Sequence, residues 1–346
     1  MFLYKHFLLS SVGLFAVPFA VTLFGLIAGS EAVVRIPVSG RGQEKRLDSY
    51  GWDKLFHRSN HGNYLSNITN VVSGQQGKQL TFQSRVIFNK VGKCGSRVVL
   101  GIFDELSRRN GFTLYDTGIG NETHIPLKGQ VELVNMVSEL EAPFIFERHF
   151  HYIDFEKFGA IQPIYINIIR DPISRFTSQY YYKRFGDEVI DKVYKGPEEY
   201  LNMTINECVL SNNKECSSQK LFYIVPFFCG QDDRCRKPSD WALEKAMANF
   251  ADRFLFVGFI EELRATLQVL QELLPAMFKG AVQIYDQTAA IDTMKQQTTS
   301  RNKIPPTQEV KKIMRQRMRE EYEFYAFVRK YFSRIKSQLG ISPKKS

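Results

Sequence analysis

The sequence predicts a three-layer α/β domain built on a parallel sheet. Three observations carry that expectation. From about Leu80 onward, short apolar runs alternate with amphipathic helical patterns. One run, Pro163–Ile169, is nearly continuously apolar, as in a strand covered on both faces. The first run, Arg85–Asn89, passes into a loop punctuated by Gly92 and Gly95, and a helical pattern follows from Val98 to about Arg109. A strand, a glycine loop and a helix N-terminus together suit a phosphate, because backbone N–H groups can approach the anion and the helix end adds partial positive charge.

The remaining elements follow in order. Residues 1–6 form a short tail, and residues 7–29 are almost unbroken apolar sequence, long enough for a membrane-spanning helix. That length argues for an uncleaved signal anchor, since a cleaved leader has a shorter apolar core; Ala28-Gly29-Ser30 is the alternative cleavage site. Residues 30–79, rich in Gly, Ser, Asn and charge, read as a stem, and residues 80–346 as one lumenal domain. Within it Phe112–Tyr115, Pro143–Phe146 and Phe254–Phe259 read as strands. Helices are expected over Leu127–Leu140, Ile173–Arg184, Asp240–Asn249 and Glu261–Leu274, and a long, broken, basic helix over Gln308–Leu339. Pro172 sits at a helix start, where its missing N–H costs nothing.

Composition narrows the partners. Of 346 residues, 44% are hydrophobic and 13% aromatic, enough for a packed core, and the net charge of +10 points to an anionic partner. Sequons at Asn67, Asn121 and Asn202 suit a lumenal body. Four of the five cysteines, Cys208, Cys216, Cys229 and Cys235, cluster as a disulfide set with three open pairings, of which neighbour to neighbour is the simplest. Cys94 is left over, inside the phosphate-type loop.

Three constellations carry chemistry. In the loop, Lys93 is placed to reach a phosphate oxygen and Ser96 to donate a hydroxyl, although Gly92-Lys93-Cys94-Gly95-Ser96 is not a Walker A sequence. Arg170 ends the apolar strand, with Ser178 two helical turns beyond; an arginine there either grips a phosphate or pairs with Asp171 at the helix cap. His149 and His151 follow the strand at Pro143–Phe146, spaced for one face of an extended backbone, where a neutral imidazole can serve as a base. A polar stretch, Met294–Lys303, has the makings of a lid over a ligand.

Taken in order, Asn-Lys-Val-Gly-Lys-Cys-Gly-Ser-Arg at 89–97, Arg-His-Phe-His-Tyr-Ile-Asp-Phe at 148–155, Tyr-Ile-Asn-Ile-Ile-Arg-Asp-Pro-Ile-Ser-Arg-Phe at 165–176 and Arg184-Phe-Gly-Asp187 resemble the glycosaminoglycan uronyl 2-O-sulfotransferases. Pro226-Phe-Phe-Cys-Gly230 and Tyr322-Glu-Phe-Tyr325 extend the likeness. The loop looks nearest to the uronyl 2-sulfotransferase and Pipe-type branch, with heparan sulfate 2-O-sulfotransferase more distant. The resemblance implies a P-loop-like sulfotransferase fold in a Golgi type II membrane protein. It implies 3′-phosphoadenosine 5′-phosphosulfate as co-substrate, no metal, and the 2-hydroxyl of a uronic acid as acceptor; a homo-oligomer is compatible with it. By position, Lys93, Cys94, Gly95, Ser96 and Arg97 would hold the 5′-phosphosulfate, Arg170 and Ser178 the 3′-phosphate, and Arg301 and Lys303 would complete the donor site. His149 would be the base, Lys93 would stabilise the leaving phosphate, Lys90 and Arg184 would face the acceptor, and His151 would contact the acceptor or serve as a structural group. Two other classes stay open. A lumenal kinase needs acidic metal ligands near the loop. A non-catalytic glycan-binding protein would lose the base or the loop lysine.

Overall fold

The computed structural model describes residues 84–116, 122–191, 194–287, 293 and 296–341. The expected tail, membrane segment and stem, and the sequons at Asn67 and Asn121, lie outside the described residues. Among the described residues no helix is long and apolar enough to cross a membrane.

Five strands form one parallel sheet in the order β2-β3-β1-β4-β5. They are β1 (Arg85–Phe88), β2 (Thr113–Asp116), β3 (Phe144–Glu147), β4 (Ile164–Ile169) and β5 (Phe254–Phe259). β3, β4 and β5 are buried throughout and β1 is buried beyond Arg85, so both sheet faces are covered; β2, at the edge, is half exposed. The chain moves to one side of β1 for β2 and β3, then to the other for β4 and β5. The carboxyl end of β1 is therefore the switch point where such sheets bind ligands.

The helices are α1 (Ser96–Asn110), α2 (Leu127–Glu139), α3 (Pro172–Phe185), α4 (Ile205–Leu210), α5 (Ser218–Leu221), α6 (Ile224–Cys229), α7 (Asp240–Arg253), α8 (Leu263–Leu273), α9 (Pro275–Phe278), α10 (Ala281–Gln287), α11 (Gln308–Arg317) and α12 (Arg319–Gln338). The break expected in the last basic helix falls at Met318. α3 starts as its sequence dictates: Pro172 occupies the first turn and the Asp171 carboxylate accepts the Ser174 N–H at 2.8 Å. The short helices α4, α5 and α6 had no periodicity long enough to announce them.

One apolar cluster surrounds the sheet, and a smaller one joins α3, α4 and α11 through Ile173, Tyr181, Val209 and Met314. Cys208–Cys216 lies in the smaller cluster and Cys229–Cys235 in the larger, the neighbour pairing. Cys94 is a free, buried thiol whose pKa burial pushes up to about 12. From the last helix, the fully buried Glu321 accepts the N–H groups of Tyr223, Ile224 and Val225 at 2.9–3.0 Å, capping the start of α6.

Two outcomes follow. Cys94 should resist alkylation in the native protein and react fully after unfolding, because thiolate is the reactive form; mass spectrometry that finds rapid native labelling would contradict its placement. Glu321→Ala should cost about 3 kcal/mol or more in chemical denaturation, since three buried donors lose their acceptor. Glu321→Gln should cost less, and a near-neutral alanine variant would show the cap to be dispensable.

Candidate active site

The site begins where β1 ends. Asn89 and Asn167, on adjacent strands, are both buried. The Asn167 amide donates to the Asn89 backbone carbonyl at 2.7 Å and to its side-chain oxygen at 2.9 Å. Asn89 in turn donates to the carbonyls of Phe150 (3.3 Å) and Phe227 (3.1 Å). These bonds tie β1, β4, the segment after β3 and α6 to one point.

From there the loop turns tightly. Lys93 and Gly95 have φ of 65° and 76°, so left-handed residues alternate with ordinary ones, the backbone form of an anion nest. A Cβ on Gly95 would lie 2.5 Å from Ile260, and one on Gly92 would lie 2.9 Å from the Tyr223 hydroxyl. Gly95 is thus favoured by space and by φ, and Gly92 by space alone. No side chain caps α1, and its first turn holds no acidic residue, which leaves its N–H groups suited to an external anion.

Basic side chains gather at this loop. The Lys93 ammonium lies 3.5 Å from the centre of the Tyr182 ring. Arg170 donates to the Lys93 carbonyl at 3.4 Å. Burial, then repulsion from Arg97, Arg170 and Lys303, opposed by Asp187, pushes the Lys93 pKa down to about 8. Burial and then Arg170 also lower Lys303. Arg97 pairs with the buried carboxylate of Asp187. Ser178 sits beside Ser300, whose hydroxyl donates to the Ser178 carbonyl at 2.9 Å, so the end of the 294–303 stretch is fastened to α3. Arg301 is exposed and its backbone N–H donates to Gly186 at 3.1 Å. The residues named from the sequence for the donor thus fall on the loop, just after β4, on α3, and on the stretch bonded to α3.

His149 lies alongside. Its Nδ1 is 2.7 Å from the Lys90 carbonyl; a carbonyl can only accept, so Nδ1 carries the proton and the lone pair is on Nε2. Burial and then Lys90 depress its pKa to about 4, outweighing the Lys90 hydrogen bond and Asp116, so the ring is neutral at pH 7.

Three residues expected to face the acceptor sit differently. His151 is 5% exposed, with its ring 5.2 Å from that of Phe227, because the chain after β3 is irregular and sends the two histidines to different neighbours. Arg184 is buried, paired with Glu215 and stacked on Tyr180 and Tyr194, so it holds α3 to the Cys208–Cys216 region. The Lys90 ammonium is paired with the buried Glu147 and only 14% of its side chain is exposed.

A sulfotransferase family model matches residues 81–328. The chain belongs to that family. It is 44% identical over 276 residues to uronyl 2-sulfotransferase of Mus musculus, a match covering 78% of this chain and 67% of that protein. The corresponding Homo sapiens protein is 44% identical over 271 residues, 76% of this chain and 66% of that one. Heparan sulfate 2-O-sulfotransferase 1 of Gallus gallus is 33% identical over 261 residues, covering 73% and 71%. The match therefore spans about two thirds of the uronyl 2-sulfotransferases' length. The higher identity to these than to the heparan sulfate enzyme is the order the loop sequence led one to expect. The chain is a member of the glycosaminoglycan 2-O-sulfotransferase group of enzymes.

Several supporting residues escaped sequence reading. Tyr182 faces Lys93, Asp187 holds Arg97, and the Tyr322 hydroxyl donates to the Asp171 carboxylate at 2.9 Å, steadying the residue after Arg170. Asp187 and Tyr322 fall inside quoted motifs, which was the available signal; Tyr182 had none beyond lying on the helix of Ser178.

The depressed histidine sets a pH dependence. Folded His149 takes up its proton near pH 4 and an ordinary unfolded histidine near 6.5. Its contribution to stability is therefore complete above about 6.5 and lost as pH falls through 4. His149→Asn should flatten the acid-side loss of stability in denaturant titrations; an unchanged slope would mean that the ring titrates normally.

Proposed function

We propose that this chain transfers a sulfuryl group from 3′-phosphoadenosine 5′-phosphosulfate to the 2-hydroxyl of a uronic acid in a glycosaminoglycan. The observation that carries the reading is the gathering of cations at the uncapped N-terminus of α1: Arg170 donates to the Lys93 carbonyl, Arg170 and Lys303 both lower the Lys93 pKa, and the neutral His149 is bonded to the Lys90 carbonyl of the same loop. Mutually repelling cations with open backbone donors fit a doubly anionic nucleotide, and the names of the relatives point to the same chemistry.

In this reading the donor supplies a sulfuryl group on a phosphate leaving group. Lys93 and the N–H groups of residues 95–97 stabilise the charge that grows on that phosphate. Arg170, Ser178 and Lys303 hold the other phosphate, with Arg301 at the rim. Nε2 of His149 takes the proton of the acceptor hydroxyl, and the Lys90 carbonyl keeps the ring in the tautomer that permits it. Residues 7–29 would anchor the domain in the Golgi membrane, with the domain in the lumen.

Incubation with labelled donor and a panel of glycosaminoglycans, followed by disaccharide analysis, should place sulfate on uronic acid carbon 2; transfer only to hexosamine would reject the acceptor assignment. Arg170→Ala should weaken binding of 3′-phosphoadenosine 5′-phosphate by about tenfold to a hundredfold, the loss of a charge-assisted bond. Unchanged calorimetric affinity would remove Arg170 from the donor site. His149→Ala should lose about a hundredfold to ten-thousandfold in turnover with donor binding intact. Full turnover in that variant would place the base elsewhere.

A further inference from the structure

The buried carboxyl at the end of β3 has no part in the reading so far. Glu147 is fully buried, and the sheet register sets it between Phe88 of β1 and Asp116 of β2. Its carboxyl pairs with the Lys90 ammonium, and the register of β2 and β3 sets Asp116 directly beside it. Burial and then Asp116, opposed by Lys90, raise its pKa to about 8.

Such an arrangement is poor architecture for stability alone, since apolar residues of similar volume commonly do as well as a buried ion pair. Its connection is informative instead. The side chain of Lys90 ends on Glu147, while its backbone carbonyl ends on Nδ1 of His149. The same residue joins a buried anion to the ring. The Lys90 charge opposes protonation of His149 and Asp116 favours it, so Asp116 offsets the cation nearest the ring, while Glu147 pairs with that cation directly. The neighbouring Asn89 is fixed by Asn167, and the Lys90 N–H donates to the Phe88 carbonyl at 2.9 Å.

We propose that Glu147, supported by Asp116, is a positioning residue: it anchors Lys90, directs the Lys90 carbonyl at His149, and balances the charge that the ring meets when it takes a proton. The proposal rests on His149 being the base. It also gives Lys90 a role distinct from gripping the acceptor.

The test compares Glu147→Gln, Lys90→Met and the double variant in the full chain, with His149→Ala in parallel. Glu147→Gln should lower kcat by about tenfold to a hundredfold, the scale seen when the outer partner of a ligating histidine is removed, and leave the donor KM unchanged. The double variant should lose no more than the worse single variant, because both act through one linkage. Nitrogen NMR of the imidazole should show the single Nδ1–H tautomer in the wild type and a mixture in Glu147→Gln. Should Glu147→Gln fail to fold, Lys90→Met reads the same linkage by the tautomer. A wild-type kcat and tautomer in Glu147→Gln, or strictly additive losses, would overturn the proposal. Full turnover in His149→Ala would sink the base assignment instead, and the tautomer would still decide whether Glu147 sets the ring.

Discussion

The buried amide pair Asn89–Asn167 is the constraint on which the site depends. Strand ends in a parallel sheet fray into loops, and a loop that must present backbone donors cannot be held by those donors. Here the anchoring falls to two side-chain amides that cross from β4 to β1 and onward to the carbonyls of Phe150 and Phe227. The direction in which the chain leaves β1 is thus set before the loop starts. Both the phosphate-type turn and the segment bearing His149 take their position from that point. The arrangement also leaves the N–H groups of the loop uncommitted, which a loop fastened by its own backbone could not achieve.

Electrostatics adds a second layer. Arg170 and Lys303 repel the partly buried Lys93, while the loop's other cations, Lys90 and Arg97, are paired with the buried carboxylates of Glu147 and Asp187. Holding unmatched cations together costs stability that the packed frame around α3 must supply. Restraints on Arg170 come from both sides: Asp171 is bound by Glu261 through its N–H and by Tyr322 through its carboxylate. An anion that neutralises these cations offsets their repulsion, and in this way a fold converts its own stability into affinity.

Much of this was legible in the sequence because it is local. Each strand and long helix was marked by its periodicity, the loop by Gly92 and Gly95, and the start of α3 by Asp171-Pro172. The disulfides join cysteines eight and six residues apart, so proximity along the chain was enough. What could not be read depends on partners far away in sequence. The burial of His151 comes from Phe227, the pairing of Arg184 from Glu215, and the capping of α6 from Glu321. Alternation of side chains put both histidines on one face, but that rule holds only while the backbone stays extended, and β3 ends at Glu147. Lys90 read as an exposed acceptor contact because nothing local reveals that its ammonium meets a buried carboxyl.

The reach of α12 has a consequence for the order in which the protein can mature. Glu321 and Tyr322 support, respectively, the residues beside Gly92 and the residue after Arg170. A ribosome has therefore made the whole sheet, both disulfide pairs, Lys93, Arg170 and Lys303 before it makes the two side chains that brace them. The nascent domain can carry a complete list of site residues and still lack a rigid site. Its completion waits until α12 packs down and closes the frame from behind.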